Sequence, residues 1–176
     1  MKNNLFRNAV LLTALGFAGA SSLANAADVS LSDKRFLKNA AESGNFEVEG
    51  SNLALKKSKS ADVQKFAKMM VEDHTKAGAK LKALAAKKGV EVSAEPSLIQ
   101  QGKLKYLGTK DGAKFDDKYA EGVGVAAHEA TIKLFEDAAE DATDTDIKKF
   151  AADTLPTLKH HLELAKALDA KVDNDD

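Results

Sequence analysis

"VQKFAKMMVEDHTKAGAKLKAL", Val63 to Leu84, decides the fold. Its apolar side chains fall at Val63, Phe66 and Ala67, Met70, Ala77, Leu81 and Leu84, and His74 lies in the same series. Spacings of three and four put all of them on one face of a helix, whereas a strand would alternate. Extended to Ala61–Lys88, the segment has Ser60 as N-cap, Asp62 in its first turn and Gly89 as its stop. At 1.5 Å per residue such a helix is roughly 40 Å long.

The pattern returns in "IKKFAADTLPTLKHHLELAKAL", Ile147 to Leu168. Both stretches open on an apolar-Lys-Phe-Ala signal, reach histidine two to three turns later and close on Lys-Leu-Ala repeats. The second helix of this kind is expected to cap at Asp144 or Thr145 and run to about Lys171, with a frayed "DNDD" tail. Pro156 lacks a backbone donor and predicts a kink. Two further periodic segments are expected at Asp33–Lys57, capped by Ser32, with an inward stripe of Leu37, Ala41, Gly44, Val48 and Leu55, and at Ala113–Ala142, softened by Gly122 and Gly124. Between the second and third long helices lies Val90–Asp111, with a short helix from Ser97 to about Leu107 after Pro96. A connection that long exceeds an ordinary hairpin loop. The expected fold is all-α: a ferritin-like four-helix bundle with a long connection, carrying a short extra helix, between helices two and three.

Residues 1–26 read differently. Lys2 and Arg7 precede an apolar run of about a dozen residues and the sequence Ala24-Asn25-Ala26. That is the layout of a secretory signal peptide with an A-x-A cleavage site, and the run is too short for a membrane span, which needs about 20 residues. Residues 27–176 are then expected to form a single domain, exported and most consistent with the periplasm. Removing Lys2 and Arg7 leaves 24 basic side chains against 27 acidic, a net charge of about −3. Both signs are interspersed and aromatics are few, so no nucleic-acid partner is expected. No later segment reads as an integral membrane span. The chain has no cysteine, so disulfides and thiol chemistry are excluded.

Rotating each helix at 100° per residue turns His74, His128 and His161 inward, on three different helices at similar depth. His160 points outward. Glu47 borders the inner stripe of the first helix, Asp73 precedes His74, and Glu129 follows His128. Glu47, His74, His128 and His161 together form a candidate site for a divalent transition metal (zinc, iron, copper or manganese), with Asp73 and Glu129 as supporting partners. The competing reading is that these are core histidines hydrogen-bonded to carboxylates, hydroxyls or carbonyls. A diiron centre would need Glu-x-x-His on two helices, but the residues three before the histidines are Val71, Val125 and Leu158. Serine nucleophile elbows, phosphate loops and zinc-protease motifs are missing, so no catalytic residue is assigned.

"FLKNAAESGNFEVEGSNLALKKS", "VQKFAKMMVEDHTKAGAKLKALAAKKGV", "FDDKYAEGVGVAAHEATIKLFEDAA" and "IKKFAADTLPTLKHHLELAKAL" resemble the domain-of-unknown-function 4142 (DUF4142) family over roughly Asp33 to Leu168. "MVEDH" and "LPTLKHHLELA" are the most specific pieces. The resemblance implies export and a ferritin-like helical bundle; members are often described as membrane or outer-membrane proteins. It implies no activity. The family usually carries an Asp-His pair on the third helix as well, where this chain has Ala127 before His128. Three functions stay open: a non-enzymatic envelope or stress-associated protein, which the residues favour; a metal-binding or redox protein; and a carrier of a small apolar ligand.

Overall fold

The computed structural model describes residues 29–173, so the expected signal peptide and the last residues of the tail lie outside it. Every regular element among the described residues is helical. In chain order these are α1 (Leu31–Lys57), α2 (Ala61–Lys87), α3 (Leu98–Gly108), α4 (Ala113–Tyr119), a π-helical segment (Ala120–Ala126), α5 (Ala127–Asp141) and α6 (Thr145–Val172). No helix among them is long and apolar enough to cross a membrane.

The helix ends follow local chemistry. Ser60 Oγ accepts from the Val63 N–H, and Asp144 Oδ1 accepts from the Asp146 and Ile147 N–H groups, as expected of N-caps. Gly89, at φ +66°, closes α2, with Gly89 N–H bonding Ala86 O and Val90 N–H bonding Ala85 O. That pair satisfies two carbonyls the helix end leaves open. Ser97 and Gln100 form a reciprocal capping box on α3. Two expectations differ. The N-cap of α1 is Ser30, whose Oγ accepts from Asp33 N–H at 3.1 Å, while Ser32 is already helical and pairs with Ser30 Oγ. The third long segment is not one α-helix, because the π-helical turn widens it around Gly122 and Gly124.

Two apolar clusters form the core. One gathers Leu37, Leu81, Ile132, Phe135, Ile147 and Leu158. The other gathers Phe46, Phe66, Met70, Phe115, Tyr119 and Leu168. Chain direction follows from these lists. α1 and α6 run from the first cluster to the second; α2 and the α4–α5 segment run from the second to the first. Two consecutive parallel segments, α2 and α4–α5, need a connection that returns along the molecule, and the α3 segment provides it. The inward face of α1 is Phe36, Leu37, Ala40, Ala41, Phe46, Glu47, Gly50, Ser51 and Ala54; it keeps Leu37 and Ala41 of the expected stripe but is rotated beyond them, so that Gly44, Val48 and Leu55 are only half buried. α6 continues across Pro156, which is exposed.

Buried Asp33 ties the ends together. Its carboxylate accepts from Thr143 Oγ1 (2.7 Å), Thr143 N–H and Asp144 N–H, which fixes the start of α1 to the turn between α5 and α6.

Candidate metal centre

Between the two apolar clusters lies a polar layer. His74 sits between Met70 and Leu81 on α2, His128 between Val123 and Ile132, and His161 between Leu158 and Ala165 on α6. Each helix therefore contributes a histidine where its apolar stripe passes from one cluster to the other. All three are buried. Their ring centroids form a near-equilateral triangle: 5.4 Å for His74–His128, 5.2 Å for His74–His161 and 5.6 Å for His128–His161. One nitrogen from each ring lies within 4.8 Å of the others.

The remaining nitrogens are held from outside. His128 Nδ1 donates to Gly124 O at 2.7 Å. His161 Nε2 donates to Asp73 Oδ2 at 3.2 Å. His74 Nδ1 lies 2.9 Å from Glu47 Oε2, close but off the line of a good N–H···O bond. A carbonyl or carboxylate oxygen only accepts, so in each pair the proton belongs to that histidine nitrogen. The opposite nitrogens, His74 Nε2, His128 Nε2 and His161 Nδ1, are left with lone pairs. His74 Nε2 and His161 Nδ1 stand 3.2 Å apart, and His128 Nε2 is buried with no hydrogen-bond partner.

The π-helical segment positions His128. Ala127 N–H bonds Gly122 O, five residues back instead of four. The Gly124 carbonyl receives the His128 ring. Gly124 also has a packing reason: a Cβ there would come within 3.2 Å of Ala165 Cβ, a tight fit against α6.

Electrostatics follow burial and the layer's own buried carboxylate, Glu47. Burial pushes the Glu47 carboxyl up, but the His74 charge and contact, with help from His128 and Thr131, outweigh it, and the net shift is downward. Burial likewise pushes His74 down, yet Glu47 outweighs it and His74 is raised. For His128, burial dominates and lowers it. His161 is lowered to about 4 by burial and by the charges of His74 and His128, against Asp73. Glu47 thus favours the charged form of His74, while burial favours neutral His128 and His161.

The expected site residues are placed as follows. His74, His128 and His161 come together. Glu47 is fully buried beside them but outside the triangle of nitrogens; it meets His74 through the other ring nitrogen and accepts from Thr131 Oγ1 at 3.3 Å. Asp73 stands behind His161. Glu129 is exposed and pairs with Lys166 at 3.0 Å, away from the layer. His160 is exposed. Thr131 and the Gly124 carbonyl were not anticipated; the paired glycines Gly122 and Gly124 were the only sign of them.

Three neutral nitrogen donors suit zinc, copper, nickel or ferrous iron better than the oxygen-preferring magnesium, calcium or manganese. In a tetrahedral site with bonds of about 2.0 Å the donors stand ~3.3 Å apart, close to the 3.2 Å of His74 and His161. Drawing in a nitrogen as far off as 4.8 Å closes about 1.5 Å, within reach of side-chain torsions on three helices.

A family profile described as "Domain of unknown function (DUF4142)" matches residues 18–168. No curated protein matches the chain. Among solved structures, the crystal structure of a DUF305 fragment from Deinococcus radiodurans superposes with a TM-score of 0.72 at 10% identity, over 81% of this chain and 98% of that one. At that identity the likeness concerns the fold alone.

Proposed function

The chain belongs to the DUF4142 family, and because that family's description carries no activity we propose, from the site itself, that the protein binds a divalent transition metal through His74, His128 and His161. One observation carries this reading: His128 Nε2 is buried and unpartnered while the other nitrogen of its ring is held by a carbonyl. A histidine kept only for packing would satisfy its second nitrogen or replace it with carbon, since an orphaned buried acceptor costs about 1–3 kcal/mol. A metal ion in the triangle removes that cost.

Glu47 and Asp73 act as partners of the ligands in this reading. An oxygen acceptor behind each imidazole fixes its tautomer and raises its basicity, the usual arrangement around metal-bound histidine. Glu47 also supplies buried negative charge to balance the cation. Sequence reasoning favoured a non-enzymatic envelope or stress-associated protein; the convergence of three lone pairs moves the weight to metal binding, in an architecture we read as a ferritin-like four-helix bundle. We place the protein outside the cytoplasm, on the strength of Lys2, Arg7 and the Ala24-Asn25-Ala26 site; a mature N-terminus at Ala27 in a periplasmic fraction tests this.

Elemental analysis of protein purified without a histidine tag tests the metal reading. The expected result is close to one equivalent of metal, with a melting temperature that falls on chelation. Less than about a tenth of an equivalent, with zinc failing to raise the melting temperature, would overturn it.

A further inference from the structure

Beside the histidine layer, on the side of the first apolar cluster, lies a cavity of about 370 Å³. Its walls include Ala41 and Gly44 of α1, Gly78 of α2, Phe135 of α5, and Phe150 and Leu158 of α6. The helix glycines of this chain differ in their surroundings. Gly50 and Gly124 are closely packed: a Cβ at Gly50 would stand 2.8 Å from a Val123 methyl, and one at Gly124 3.2 Å from Ala165. A Cβ at Gly44 or Gly78 would meet nothing within 4 Å, although both residues lie mid-helix and line the cavity. A mid-helix glycine costs about 1 kcal/mol against alanine, and at Gly44 and Gly78 it leaves the wall of the cavity without a side chain.

The polar end of the cavity sets the chemistry of an occupant. Thr154 gives its proton to Phe150 O at 2.7 Å and keeps an accepting oxygen. Asp73 gives Oδ2 to His161, and its Oδ1 stands 3.9 Å from the Lys76 ammonium, too far for a hydrogen bond. The inner wall thus offers acceptors at Asp73 and Thr154, while Thr75, Thr157 and the Lys82 ammonium lie at the exposed rim. Beside Asp73 and Thr154, away from that rim, a hydroxyl donor is favoured over a carboxylate. An apolar cavity of about 150 Å³ already holds benzene, so this one takes a substituted ring or an alicyclic molecule of similar bulk.

We propose that this cavity is a binding site for a small neutral molecule with an apolar body and one hydroxyl donor, placed with the hydroxyl toward Asp73 and Thr154. The proposal does not depend on the metal. It is tested on the chelated full chain by calorimetry with p-cresol, toluene and p-toluate, in the wild type and in Gly44→Phe, which fills the cavity from α1. The expected result is saturable one-to-one binding of p-cresol, several-fold tighter than toluene and at least tenfold tighter than p-toluate, weakened at least tenfold by Gly44→Phe. Gly78→Phe, from the facing helix, gives the same reading if Gly44→Phe does not fold. Absence of saturable p-cresol binding at millimolar concentration, or equal affinity in folded filled variants, overturns the proposal. Zinc titration of the same samples keeps the two readings apart: loss of zinc binding with p-cresol retained sinks only the metal centre, and the reverse sinks only the cavity.

Discussion

His74 Nε2 lies 3.2 Å from His161 Nδ1, across the interior between α2 and α6. Each ring is held from behind by a carboxylate, Glu47 for His74 and Asp73 for His161. Two lone pairs face each other at the separation of neighbouring donors on a metal, and the structure keeps them there through acceptors on two helices. Protons compete with a metal for these nitrogens, so binding weakens as pH falls.

The adjacent histidines of α6 separate ligand from bystander. His161→Ala should lower zinc affinity by on the order of 100-fold or more, since a ligand is worth more than the 10–100-fold of a supporting residue. His160→Ala should leave it unchanged, because His160 is exposed. Zinc competition against a chromophoric chelator, on untagged protein, makes the comparison. Equal losses from both would contradict the assigned facing.

Glu47 supports the site without entering the triangle of nitrogens. Glu47→Gln should weaken zinc about 10–100-fold and keep one-to-one stoichiometry. Glu129→Gln should have no effect, because Glu129 pairs with Lys166 at the surface. Complete loss of stoichiometric binding in Glu47→Gln would make Glu47 a ligand.

The glycines give a stability test with opposite signs. Gly50→Ala places a Cβ against both Val123 methyls, at 2.8 and 3.0 Å, and should destabilise by about 1–3 kcal/mol despite better helix propensity. Gly44→Ala meets nothing within 4 Å and should stabilise by up to about 1 kcal/mol. Urea unfolding at pH 7 measures both, and a shared sign would contradict the packing described.

A surface network sets an acid limb. Lys88 reaches Asp144 at 2.6 Å and Asp146 at 2.8 Å, fastening the end of α2 to the start of α6. Hydrogen bonds from Lys88 and Lys87 hold Asp146 at about 2, below its ordinary 3.8. Burial raises Asp144, but Lys88 outweighs it and the shift is downward. A carboxyl depressed in the folded state binds its proton more readily when unfolded, so its stabilisation is present above about pH 4 and is lost as pH falls toward 2. Lys88→Met keeps much of the apolar stem and removes the charge. Its urea midpoint should lie below wild type at pH 7 and converge with it near pH 2; a gap constant with pH would show that only packing was lost.

Much of this was legible beforehand. Three-four spacing placed His74, His128 and His161 inward, because a histidine in an apolar series turns with the series. Glu47 was harder. The expected α1 stripe runs through Gly44 and Val48, whereas Phe46 and Gly50 set the buried face, so Glu47 borders the expected stripe yet is fully buried. Glu129 follows a buried residue by one position and is carried about 100° around α5. The π-helical turn has no periodic signature, and Gly122 and Gly124 announced only weakness in the helix. The cavity was beyond reach, since a glycine that leaves space and a glycine that permits contact read alike until the neighbours are known.

X-ray absorption spectroscopy of untagged, zinc-loaded protein tests the metal centre most directly. The account predicts one bound zinc with three nitrogen scatterers at about 2.0–2.1 Å and outer-shell imidazole scattering from three rings. A first shell of oxygen without imidazole scattering, or no zinc retained after desalting, would contradict it.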